Sequence, residues 1–292
     1  MVLVHGSMCD HTAFDPLVAE LRHSMTTFSM DRRGFGASGD GPGYVIEREF
    51  EDVAAVVEDV AARAAGPVAL WGHSYGAGCA MGGATLTGAV HHLLLYEPGL
   101  GIPYPAGAIE AVEAALAAGD AETALRLVLV GIVGMTDGEV ASLRSGPRWP
   151  TMLASAGTVP RECRAEDGWT YRPGHFDGLS APTLLLAGGE SHPTLKEATD
   201  LALAAIPGAR VEVLDGHAHL AYRSDPAMVA AVIRRFVSGR GCRAYGRPRR
   251  RRGRRRRRWP RSRSGPGAPG PRDRRPGWRG RRRRPAWRRW WR

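Results

Sequence analysis

Short apolar runs alternate along the chain with longer stretches of helical period. Pro67–Trp71, behind a Gly66-Pro67 break, is apolar throughout and suits a strand buried on both faces. Residues 1–5, 24–30, 92–96 and 182–187 read as further strands, and Arg210–Leu214 alternates as one. Helical patterns lie between them. Asp15–His23 is a short one, and Glu47–Ala65 is the clearest. There Phe50, Val53, Val57, Val60 and Ala64 recur at three- and four-residue steps, and acids crowd the first turns, where the helix dipole favours them.

Between Pro98 and Ser180 the strand rhythm stops. Helices are predicted over Ile109–Ala118, Ala121–Val133 and Asp137–Leu143. A helical insertion between two strands is expected to sit over the sheet as a cap. Trp149, Trp169 and Tyr171 are its candidate substrate-binding residues, because aromatic side chains commonly line ligand sites. Leu127, Val128, Leu129, Val130, Ile132 and Val133 are read mainly as the cap's own packing. The last helix opens with Asp225 as cap and Pro226 in its first turn, turns Val229, Val232, Ile233 and Phe236 to the core, and closes at Gly239. The predicted organisation is a core of residues 1–97 and 181–239, a cap of residues 98–180 and a tail of residues 240–292.

The tail changes the meaning of the net charge, which is +12 for the whole chain. From Arg240 onward lie 25 of the 41 basic residues and one of the 29 acids, Asp273, so residues 1–239 carry −12. The tail has no apolar periodicity and is expected to be disordered, since it cannot offset the entropy of ordering. Five of the eight tryptophans alternate there with arginine, a composition suited to phosphate contacts and base stacking, so nucleic acid is a partner only through residues 240–292. The abrupt change after a completed helix favours a frame-shifted or extended reading of GC-rich coding DNA over a selected tail.

In the remainder, no apolar run reaches the roughly 18 residues of a membrane span, and the start lacks the basic and apolar segments of a signal peptide. Cys9, Cys79, Cys163 and Cys242 show neither metal-ligand spacing nor a disulfide framework. Cys79 is expected to pack as a small apolar residue. A cytoplasmic protein acting on a small molecule fits this composition.

The candidate chemistry centres on Gly72-His73-Ser74-Tyr75-Gly76, set between the apolar strand at 67–71 and a run of small residues able to open a helix. Glycines two before and two after the serine clear space for a sharp turn that lifts a hydroxyl above a sheet. Such a serine needs a histidine base on a loop above the strands. Asp215-Gly216-His217-Ala218-His219 follows the strand at 210–214 and offers two, of which His219 is preferred to His217. An oxyanion needs two N–H donors. Ser7, in the His5-Gly6-Ser7 turn after the first strand, and Tyr75 can provide them. His5 itself is read as a structural residue that holds its loop.

Together, His5-Gly6, Asp31-Arg32-Arg33-Gly34-Phe35-Gly36-Ala37-Ser38, Gly72–Gly76 and Gly216-x-x-His219 resemble the α/β-hydrolase superfamily over roughly residues 1–239. Leu95-Tyr96-Glu97-Pro98 and Val159-Pro160-Arg161-Glu162 are similar to a group of capped bacterial hydrolases. The resemblance implies an α/β fold with a mostly parallel sheet flanked by helices, a serine-histidine-acid triad, no cofactor and no metal. It also implies an antiparallel strand pair ahead of the first strand, so the start reads as truncated and residues 24–30 as an exposed edge. The expected activity is cleavage of a small ester, thioester or lactone. Nucleic-acid binding through the tail, or an inactive member of the fold, is the alternative. The acid departs from the pattern. The family's usual position, three residues beyond Gly188, holds Ser191; Glu190 is one residue earlier, and Glu97 ends the preceding strand. Both stay open, with a slight preference for Glu97 on its more rigid element.

Overall fold

The computed structural model describes residues 1–239. The basic tail, with Cys242 and the nucleic-acid reading, lies outside the described residues. Six strands form one parallel sheet in the order β2-β1-β3-β4-β5-β6: β1 Val2–Val4, β2 Phe28–Met30, β3 Val68–His73, β4 Val90–Tyr96, β5 Thr183–Gly188 and β6 Arg210–Leu214. Every residue of β3 and β5 is buried, the environment that makes parallel strands read as continuous apolar runs. β2 is an edge and shorter than predicted. Ser24 and Met25 bond back to the Leu21 carbonyl and end the preceding helix, so pairing begins only at Phe28.

The helices are α1 Asp15–Leu21, α2 Ile46–Ala64, α3 Tyr75–Ala84, α4 Ala108–Ala117, α5 Ala121–Arg126, α6 Asp137–Ser145, α7 Trp149–Ala154, α8 Val159–Asp167, α9 Pro193–Ala205, α10 Ala221–Ser224 and α11 Pro226–Val237. On one face of the sheet α1, α10 and α11 bury Leu17, Leu21, Tyr222, Val229 and Ile233 against Leu3, Trp71, Leu94 and Leu186. On the other, α2, α3 and α9 bury Phe50, Val53, Val57, Cys79 and Ala202 against Val2, Val4, Leu70, Leu93, Leu95 and Leu185. Cys79 is thus core, as its small apolar character suggests.

Helices α4 to α8 lie in the insertion between β4 and β5, which has its own apolar cluster of Ile109, Val112, Leu125, Val128, Leu129, Trp149, Met152, Val159 and Cys163. Three of its helices match the predicted ones, but Ala121–Val133 is not uniform: after Arg126 it widens into a π-helical stretch, Leu127–Ile132. Helices α7 and α8 were not evident in the sequence, and each carries proline at its first turn.

The strand order places the functional crevice. From β1 the chain crosses to β2 on one side and then to β3 on the other, so the loops leaving β1 and β3 diverge. In open α/β sheets a ligand crevice forms at such a point, outside the carboxyl ends of the strands. Register brings Val4 level with Gly72, and His73 level with Tyr96. Ser74 and Glu97, each one residue further on, therefore leave the sheet side by side.

Candidate active site

Ser74 sits between the end of β3 and the start of α3 with φ 55° and ψ −126°, a region that side chains rarely adopt. The surroundings hold it there. Ser74 N–H donates to the Tyr96 carbonyl at 2.9 Å, and Ser74 O accepts from Ala77 N–H at 2.8 Å as α3 begins. A Cβ at Gly72 would overlap Gly76 O and the Ala77 backbone, and one at Gly76 would overlap the Val4 and His5 carbonyls. Both glycines are thus demanded by close approach of backbone to backbone, as the sequence pattern anticipates.

His219 lies on the loop after β6, and its Nδ1 is 2.6 Å from Glu97 Oε2. Glu97 is fully buried, has a strained φ of 45°, and accepts a second hydrogen bond at Oε1 from Gly188 N–H at 2.6 Å. With a carboxylate facing it, Nδ1 carries the proton and Nε2 is left with the lone pair. His73 Nε2–H donates to the His219 carbonyl at 2.9 Å, and the Tyr96 hydroxyl donates to the Ala218 carbonyl while accepting from Ala221 N–H at 3.3 Å. These two side chains hold the histidine loop onto the sheet. Burial pushes His73 well below the usual histidine range, so it places no charge beside His219, whose ring centre is 4.5 Å away.

The other acid candidate is not brought to the site. Glu190 is exposed on the loop after β5, and only its backbone N–H reaches the histidine loop, at His217 O, 2.9 Å. The pattern position, Ser191, is buried with its hydroxyl unpartnered. His217 faces Asp225 at 3.7 Å instead of Glu97.

Ser7 borders the cavity that Ser74 shares, and Tyr75 follows Ser74 as the first residue of α3. Among the described residues, neither of their N–H groups donates to a protein acceptor. His5 is buried beneath them, with Nδ1–H donating to Gly6 O at 2.8 Å and Nε2 accepting from Arg32 N–H at 3.1 Å. Burial, with the Arg32 charge beside it, pushes His5 down to about 3, which keeps it a neutral structural residue.

Arg32, which the sequence offered only as part of a motif, organises this region. Fully buried, it donates to the His5 and Gly6 carbonyls at 2.8 and 3.2 Å, pairs with Glu49 of α2 at 2.9 Å, and pairs with Glu162 of α8 at 2.5 Å. One guanidinium thus ties the insertion, helix α2 and the loop after β1. Arg32→Met leaves two buried carboxylates without their cation. Breaking a buried pair costs about 3–5 kcal/mol, so the variant is expected to unfold at markedly lower urea concentration.

A partly open cavity, about 770 Å³ with its mouth included, joins these groups. Gly6, Ser7, Ser74 and His219 lie along it, and the insertion contributes Val128, Leu129, Ile132, Val133, Met152 and Glu166. Two expectations are corrected. Trp149 packs in the insertion's own core, while Trp169 lies edge-on to Phe50 at 5.6 Å and 6.4 Å from Tyr171, both against the sheet's core cluster. None of the three lines the cavity; their rings pack against Phe50, Phe176 and the insertion's core instead. Conversely, the π-helical residues read as internal packing do line it, since their face at 128, 129, 132 and 133 spans both core and cavity. A second depression, at Ala84–Val90 and Gly178–Ala181, carries no ionisable side chain.

Glu166 was not anticipated. Its Oε2 accepts from the Tyr104 hydroxyl, and burial pushes its carboxyl up to about 7, with Glu162 reinforcing and Tyr104 opposing. Between the ordinary value of 4.5 and about 7, the folded chain holds a proton that the unfolded chain has released. This contribution to stability is therefore complete below pH 4.5 and lost as pH rises through 7, by about 2–4 kcal/mol. Glu166→Gln should remove that slope, so its stability advantage over the parent grows between pH 5 and 8 in parallel thermal melts.

The pattern of the alpha/beta hydrolase family matches residues 1–232, and the chain belongs to that family. An alpha/beta hydrolase from Sphaerobacter thermophilus is 31% identical, with 81% of this chain and 91% of that one aligned at a TM-score of 0.70. The carboxylesterase CesB from Bacillus subtilis shares the fold at 18% identity, 82% and 83% coverage and a TM-score of 0.60. The enol-lactonase from Burkholderia xenovorans does so at 19% identity, 81% and 90% coverage and a TM-score of 0.64. Among curated proteins none matches. At these identities the two Bacillus and Burkholderia structures share the fold with this chain. Among the described residues, no helix is long and apolar enough to cross a membrane.

Proposed function

We propose that the protein is a serine hydrolase that cleaves a small-molecule ester, thioester or lactone through an acyl-enzyme. The observation that carries this reading is the 2.6 Å contact of His219 Nδ1 with buried Glu97, on a cavity that Ser74 shares. With Nδ1 committed to the carboxylate, Nε2 is the ring nitrogen that takes the Ser74 proton as the hydroxyl attacks the carbonyl carbon. The negative charge that develops on the carbonyl oxygen is met by the N–H groups of Ser7 and Tyr75, at the positive end of the α3 dipole. His219 then returns its proton to the leaving oxygen or sulfur, and water repeats the sequence on the acyl-enzyme. Helices α4 to α8, residues 98–180 of the insertion, act as the cap that gives the substrate an apolar wall.

Stopped-flow mixing with p-nitrophenyl esters tests the two-step course. A burst of p-nitrophenol approaching one equivalent per chain, followed by a slower steady rate, is the expected trace. Turnover with no burst, with substrate in excess and deacylation slowed by a poorly hydrolysed acyl group, would speak against it.

A further inference from the structure

The cavity holds a cation that the hydrolytic steps do not use. Arg223 lies on α10, four residues after His219, and borders the cavity with Ser74, His219 and Cys9. It is half-buried, and among the described residues its guanidinium has neither an ion-pair partner nor a hydrogen bond. The neighbouring Arg148 differs. It spends its charge on Asp10 at 3.0 Å and its other arm on the Thr12 hydroxyl at 2.6 Å. The remaining ionisable groups along the cavity do not compensate Arg223. Burial keeps the Cys9 and Cys163 thiols and the Tyr104 and Tyr222 phenols in their neutral forms, and Glu166 is engaged by Tyr104. Burial chiefly holds His73 below the usual histidine range, and the Arg223 charge adds to it.

A guanidinium held at the edge of a largely apolar cavity, with donors unspent, matches a carboxylate, which it can grip through two parallel N–H···O bonds. We infer that the substrate is an ester or lactone bearing a second, free carboxylate, and that Arg223 binds this carboxylate while Ser74 attacks the other carbonyl. This rests on the hydrolase reading for the reaction but not for the binding. The bound carboxylate does not change charge during acylation, so Arg223 should act on binding, through KM, more than on kcat.

Mono-p-nitrophenyl glutarate and p-nitrophenyl valerate have the same chain length and differ in the terminal carboxylate, so they separate the contributions. Arg223→Gln should lower the glutarate-to-valerate ratio of kcat/KM about 10- to 100-fold, the range of a charge-assisted hydrogen bond, with Arg223→Lys in between. Raising the salt concentration should weaken the glutarate ester selectively in the parent enzyme. Binding is measured separately in the Ser74→Ala protein, where free glutarate should raise the melting temperature only if Arg223 is present. An unchanged ester ratio together with glutarate binding that survives Arg223→Gln overturns the inference. Glutarate binding that depends on Arg223, in a protein that cleaves neither ester, upholds the anion site and refutes the hydrolase reading instead.

Discussion

Ser74→Ala is expected to lower kcat for ester cleavage by about 10⁶-fold while leaving the melting temperature nearly unchanged, because the nucleophile belongs to a unit whose members fail together. The change removes one hydroxyl from a half-buried position and leaves the Ser74 backbone bonds to Tyr96 and Ala77 in place. What remains should be catalysis from the oxyanion donors and binding alone, about 10³–10⁴ over water. Steady-state assays of purified parent and variant, with circular dichroism melts alongside, check both halves. Near-parental activity in a folded variant would remove Ser74 from the chemistry.

Glu97→Gln comes next, at up to about 10⁴-fold in kcat. The amide can keep the Gly188 N–H bond through its oxygen, which now sits at 2.6 Å as Glu97 Oε1. It then presents its NH₂ to His219 Nδ1. That nitrogen must accept, so the ring proton moves to Nε2 and the face needed to take the Ser74 proton becomes a donor. Geometry is conserved and the tautomer is wrong. Glu190→Gln, changing an exposed side chain, should alter kcat by less than about threefold, a surface-substitution effect. Measured kcat for the two variants, across the pH range of the parent, separates the two glutamates. Comparable losses in both would contradict a single acid at Glu97.

The contrast between these glutamates shows what was legible in the sequence. Local signals carried the elbow: Gly72, Ser74 and Gly76 announce a backbone constraint at fixed spacing, and the strand before them is apolar throughout. The acid could not be read this way, because its identity depends on which strand end lies level with Ser74. That is a matter of register between β3 and β4, and nothing within Leu95-Tyr96-Glu97-Pro98 states it. The same limit hid Arg32 and Glu162, which are 130 residues apart in sequence and 2.5 Å apart in space. Aromaticity misled at Trp149, Trp169 and Tyr171, where a large ring serves packing as readily as a ligand. Helices α7 and α8 were invisible for a different reason: they are short, and their apolar faces have too few turns to establish a period. Arg223 gave no signal at all, since a free guanidinium beside a cavity differs from a surface arginine only in what surrounds it.

The assignment of Ser74 as the nucleophile is tested most directly by covalent capture. The protein is treated with a fluorophosphonate, its intact mass recorded, and the modified peptide sequenced by tandem mass spectrometry. A single adduct on Ser74, absent from Ser74→Ala and strongly slowed in His219→Ala, is the predicted result. No adduct on the folded protein, or an adduct on another serine that persists in Ser74→Ala, would contradict it.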